Sequence, residues 1–143
     1  MIPVDRKNQQ KAVRVLTDAF HDDPVINWCG NHPETVLPFF EITVPSYIPH
    51  GLTYLDPEER GAAAWLGPGQ KLAFSYTLEN MARVLKMGGL RGIYRMIKSG
   101  VVTEREHPKQ PHYYLFAIGV TPDNKGKGVG TALIAHVLRK CAE

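Results

Sequence analysis

Apolar positions along the chain change their spacing several times, and each change marks an element. After Ile2, Pro3 and Val4, a short first strand, Ala12, Leu16, Ala19 and Phe20 recur on one helical face, with Asp5 as the expected N-cap. That helix should stop near Asp22-Asp23-Pro24, because a proline ring disfavours helical geometry at the residue before it. Residues 31–51 carry apolar spacing that starts near Pro33 and is interrupted by Pro38 and Pro45, which predicts a short or kinked helix. The spacing then becomes that of strands. Residues 52–55 and 62–66 flank the turn-forming run Asp56-Pro57-Glu58-Glu59-Arg60-Gly61 and predict an antiparallel hairpin, closed by Gly67-Pro68-Gly69.

Helical spacing returns at Leu78, Met81 and Leu85, and again at Leu90, Ile93, Tyr94 and Ile97, with Gly88-Gly89 predicting a break between the two helices. From Arg83 to Lys109 basic residues outnumber Glu104 and Glu106. A solvated basic face is the plain reading, and a docking surface for an acidic partner is the sharper one. Residues 101–111 read as a polar connector. The continuous apolar run 113–120 predicts a central strand buried on both faces. It ends at Thr121-Pro122-Asp123-Asn124, and Thr131 is the expected opening of a last helix with Val129, Leu133 and Val137 in its stripe. The order of elements predicts an α/β fold of the α+β type, a mixed, mostly antiparallel sheet flanked by helices.

Composition narrows the picture only slightly. A length of 143 residues suits a single domain. The net charge of +3 fits an anionic ligand but does not call for nucleic acid, and a nucleic-acid-binding role for the basic helices has only diffuse charge behind it. Cys29 and Cys141 lie far apart with no second cysteine or histidine at metal spacing, so reduced thiols and no metal site are expected. No apolar run reaches membrane-spanning length and the first ten residues hold no signal-peptide core, so a cytoplasmic protein is the expectation.

The chemistry concentrates in Lys125-Gly126-Lys127-Gly128-Val129-Gly130, between the strand and the last helix. A helix N-terminus offers free N–H groups and partial positive charge. Glycines let a row of such donors approach a ligand closely, and the two lysines add full charges. An anion-binding loop follows, and a diphosphate suits its size. The run departs from a Walker A loop, since no lysine stands between Gly130 and Thr131, and from a dinucleotide fingerprint, since it reads G-x-G-x-G. A glycine-rich turn that merely caps the helix is the bland alternative.

This stretch resembles the cofactor loop of the GNAT superfamily of N-acetyltransferases, Gln/Arg-x-x-Gly-x-Gly/Ala, with Lys125 at the Gln/Arg position and Gly128 and Gly130 at the two small positions. Lysine for Gln/Arg is a departure that touches side-chain capping and leaves the backbone donors intact. The runs AFHDDPVINW and AAAWLGPG also resemble members that acetylate small molecules. The resemblance implies acetyl-CoA as co-substrate, with its diphosphate on Gly126, Lys127, Gly128, Val129, Gly130 and Thr131 beside Lys125. Its pantetheine arm would lie along Ile118, Gly119 and Val120, with Gly119 marking a bulge or a close approach and Val120 N–H facing the oxyanion.

The implied reaction is direct attack of a neutral amine on the thioester. Some members place a carboxylate base six residues before the position of Val120; Tyr114 stands there in this chain, with His112 on the same face if strand alternation holds. Asp22 and Asp23 beside Pro24 read as a helix-end turn, with contact to the acceptor amine as the alternative that the resemblance implies. The family continues beyond this helix with further strands and a helix, so a longer protein or a second chain, a homodimer included, is expected to supply them. The resemblance thus implies acetyl transfer to a primary amine of a small molecule. The alternative is a non-catalytic acyl-CoA-binding or regulatory module of the same fold.

Overall fold

The computed structural model describes residues 1–30, 33–71 and 77–141. Its strands β1 (Ile2–Pro3), β2 (Thr53–Leu55), β3 (Gly61–Leu66) and β4 (Tyr114–Val120) form one antiparallel sheet in that order. Its helices are α1 (Gln9–Ala19), α2 (Pro24–Gly30), α3 (Val36–Tyr47), α4 (Leu78–Glu106) and α5 (Val129–Cys141). The mixed α/β class with an antiparallel sheet is as the sequence predicts.

Alternation along the hairpin sends its side chains into two cores. Leu55 and Ala62 pack with Val13 and Leu16 of α1 and Phe40 of α3 on one face. Tyr54, Ala63 and Trp65 pack with Val129, Leu133 and Val137 of α5 on the other. Ala62, Ala63 and Ala64 are fully buried, and their small side chains let helices close on the sheet from both sides. Gly119 serves the same end. A Cβ there would meet the Ala19 Cβ at 2.6 Å and the Leu16 Cδ2 at 3.1 Å, so only glycine lets α1 lie this close to β4.

Some local expectations hold and others are corrected. Asp5 caps the turn that leads into α1 as expected: its carboxylate accepts from the N–H groups of Lys7 and Asn8 and its carbonyl from that of Gln9, while Asn8, next to the first residue of α1, makes no side-chain cap bond to the helix. α1 stops at Ala19, just short of Asp22-Asp23-Pro24 as expected, but Pro24 also opens α2, and Asp23 caps that helix through the N–H groups of Val25 and Ile26 at 3.0 and 2.8 Å. α3 runs unbroken from Val36, with Pro38 in its first turn, where a missing N–H costs nothing, and Pro45 in its last. α4 kinks at Gly88 and Gly89 as predicted, but it continues to Glu106 through residues read as a connector. β4 is not buried on both faces. It is half-buried at the sheet edge, because among the described residues β3 alone pairs with it.

The β2–β3 turn is braced by a charge pair that the sequence reading missed. Asp56 is 3% exposed and accepts from Arg60 Nε at 2.8 Å, Arg60 Nη2 at 3.0 Å and the Glu58 N–H at 3.0 Å. The Arg60 hydrogen bond is the main cause that holds the Asp56 carboxyl below its usual range, against the opposing effect of burial.

Two outcomes follow from this packing. Gly119→Ala should cost about 1–3 kcal/mol by overpacking against α1, read as a lower urea midpoint at unchanged slope. Gly100→Ala, where a Cβ meets nothing within 4 Å, should instead gain about 0.5–1 kcal/mol of helix propensity. Asp56 has a lowered folded-state pKa, so its contribution is present above the ordinary carboxylate value and is lost as pH falls through the folded one. The melting temperature should therefore fall below about pH 4, and Asp56→Asn should flatten that part of the profile.

Candidate functional site

The backbone of β4 has one satisfied side and one open side. Thr121 N–H donates to the Arg60 carbonyl at 2.9 Å, and the Thr121 hydroxyl donates to the same oxygen at 3.2 Å. Gly119 lies opposite Ala62 in register. Because N–H and C=O groups alternate sides along a strand, Gly119 and Thr121 face β3, while Ile118 and Val120 present their backbone groups to the open edge. No strand pairs with that edge among the described residues.

Beyond the edge the chain makes a 3-10 turn at Pro122–Asn124, tied by Asn124 Nδ2 donating to Thr121 Oγ1 at 2.9 Å. Gly126 and Gly128 then take φ values of 77° and 78°, the left-handed region that favours glycine. The N–H groups of Lys125 and Lys127 turn inward, to the Pro122 and Asn124 carbonyls. Those of Gly126, Gly128, Val129, Gly130 and Thr131 pair with no acceptor among the described residues. Lys125 and Lys127 contribute exposed ammonium groups, and Lys127 Nζ donates to Asn124 Oδ1 at 3.2 Å. α5 begins at Val129 rather than Thr131, which places three of these free amides in its first turn. Burial of Val129, Leu133 and Val137 fixes that turn against the sheet.

Gly119 is a point of close approach and not a bulge. The irregularity falls where Ala64 pairs with Ala117 and Trp65 with Leu115, which leaves Phe116 as the extra residue of β4. Up-strand of that bulge, Tyr114 lies 4.4 Å from the ring of His107, and His107 lies 5.4 Å from the ring of His112. His112 precedes the strand, so alternation does not place it; the His107 ring gathers both side chains. Burial, then the nearby Glu104 charge, push the Tyr114 phenol above its usual pKa. His112 Nδ1 lies 2.8 Å from the Gln110 carbonyl, a contact in which Nδ1–H donates, so that in a neutral ring the acceptor nitrogen is Nε2. His107 belongs by sequence to the polar connector, and only the extension of α4 to Glu106 brings it here.

A cleft of about 770 Å³ opens between the end of α1 and the loop, lined by Asp18, His21, Asp22, Asp23, Asp123 and Lys125 among others. Its acidic wall comes from two sequence-distant segments, a juxtaposition that local spacing does not reveal.

Residues 50–143 match the acetyltransferase (GNAT) family. An uncharacterized N-acetyltransferase of Schizosaccharomyces pombe is 28% identical over 156 residues, covering 96% of this chain and 62% of that protein. The chain thus spans less than two thirds of the curated relative's length. A crystal structure described as histone acetyltransferase HPA2 and related acetyltransferase, from Corynebacterium glutamicum, shares the fold with a TM-score of 0.67 at 24% identity, over 97% of this chain and 69% of that one. With an antiparallel sheet that leads through a glycine loop into a helix, and a family match over residues 50–143, the chain belongs to the GNAT acetyltransferase family.

Proposed function

We propose that this protein binds acetyl-CoA at the open edge of β4 and transfers the acetyl group to a primary amine of a small molecule. The observation that carries the reading is the pair of backbone donor sets, close in sequence, that find no acceptor among the described residues. The outward backbone of Ile118 and Val120 leads directly to the free amides of Gly126, Gly128, Val129, Gly130 and Thr131. The donor row and the left-handed glycines fit a diphosphate, and Lys125 and Lys127 add charge. The strand edge fits the amides of a pantetheine arm, which would pair as an added strand does.

Acetyl-CoA supplies an acyl group activated as a thioester. The chain's own groups then hold it and move protons. Ile118 and Val120 both offer an outward N–H to a developing oxyanion. At roughly 3.3 Å per strand residue, Ile118 is the closer of the two to Tyr114, so the oxyanion role falls to Ile118 and arm binding to Val120. The raised Tyr114 phenol stays protonated at neutral pH and suits a proton donor to the departing thiolate. His112 Nε2 suits the acceptor of the amine proton. The cleft between α1 and the loop lies at the Thr121–Lys125 end of β4, so its carboxylates, Asp18, Asp22 and Asp123, stand beside the diphosphate loop and not beside Tyr114.

Calorimetry with acetyl-CoA should show binding that weakens with salt. Gly128→Val, which places a branched side chain at φ 78°, should reduce the affinity by about ten-fold or more in a variant that circular dichroism shows folded. In thiol-release assays, small primary amines should be turned over. Tyr114→Phe should lower kcat by about 100-fold with little change in KM for acetyl-CoA. Binding without turnover of any amine would instead establish a non-catalytic acyl-CoA module. Undiminished binding by Gly128→Val would contradict the placement of the diphosphate.

A further inference from the structure

α4 is packed along one side only. Arg83 reaches Glu41 of α3 at 3.6 Å, and the Met87 carbonyl accepts from buried Thr35. Past the kink, Arg95 lies over the Trp28 ring at 4.7 Å and donates to its carbonyl at 2.6 Å. A Cβ on Gly92 would meet the Cys29 carbonyl at 2.8 Å, so α4 and α2 are in close backbone contact there. These contacts fix the orientation of the helix. They turn its opposite face outward.

That outward face is apolar. Leu90 is 82% exposed, Tyr94 64%, Ile97 61% and Val101 61%. Their spacing of four, three and four residues is the repeat with which one helix seams against another. The seam is bounded by the Gly88–Gly89 kink at one end and by exposed Glu104 at the other. No described element packs on it. Beside it runs a second row, Arg91, Lys98 and Arg105, all exposed and seven residues apart, at the flanking position that meets a partner's charges.

This row decides the occupant. Two antiparallel copies of α4 would set it against itself, like charge facing like charge. Two parallel copies would set it against the Ile93 and Gly100 positions, which offer no charge in reply. A helix carrying Glu or Asp on either side of an apolar seam satisfies both rows. We propose that the outward face of α4 docks an acidic amphipathic helix of another protein. The seam spans about three helical turns, a size suited to a transient partner.

The test uses fluorescent synthetic peptides of about three heptads, with Leu along the seam and either Glu or Lys flanking it. Anisotropy titrations of the 143-residue chain should show binding of the Glu peptide and not the Lys peptide, weakened by added salt. Ile97→Asp should weaken it by about ten-fold or more. The double variant Lys98→Glu with Arg105→Glu should exchange the preference to the Lys peptide. All these positions are exposed, and circular dichroism together with acetyl-CoA calorimetry should match the unchanged protein. Equal binding of the two peptides, binding of neither, or a homodimer in sedimentation that Ile97→Asp dissolves would each overturn the proposal.

Discussion

The register of β4 against β3 is the constraint on which the remainder depends. Ala62 pairs with Gly119, and the Arg60 carbonyl takes both the N–H and the hydroxyl of Thr121. That pairing decides which amides of β4 are spent inside the sheet and which face outward. A slip of one residue would exchange the two sets and turn Ile118 and Val120 toward the wrong cores. The Asp56–Arg60 pair fixes the turn that presents the Arg60 carbonyl, so a buried carboxylate at one end of the hairpin sets the origin of the glycine loop at the other strand.

From that origin the loop acquires its polarity without further design. The 3-10 turn consumes the amides of Lys125 and Lys127, and the amides of left-handed Gly126 and Gly128 are left without an acceptor among the described residues. α5 follows at once, pinned by Val129, so its free first-turn amides come next in sequence. Strand edge and helix start are two sets of backbone donors without acceptors among the described residues, joined by the turn at Pro122–Asn124. The bulge at Phe116 lies up-strand of these donors, between them and the Tyr114, His107 and His112 rings.

Much of this was legible in the sequence because it rests on local chemistry. The hairpin, the kink at Gly88 and Gly89, the glycine loop and the α5 stripe each follow from spacing and turn residues that act within a few positions. What escaped depends on long-range geometry. Proline stops or starts a helix according to what precedes it, and Asp23 makes Pro24 a beginning. Gly119 could mark a bulge or a close approach, and only the position of α1 selects the second. The apolar run of β4 signalled burial from both sides, whereas the described elements cover it only in part. The gathering of His107 with Tyr114 and His112 required the true end of α4.

Acetyl-CoA on the open edge of β4 would protect a particular set of backbone amides. Residue-resolved amide hydrogen exchange, with and without saturating acetyl-CoA, reads them one by one. Ile118, Val120, Gly126, Gly128 and Gly130 should gain protection on binding. Gly119 and Thr121, already bonded to β3, should change little. The opposite pattern, or protection confined to the acidic cleft, would contradict the placement of the acyl donor on the open edge of β4.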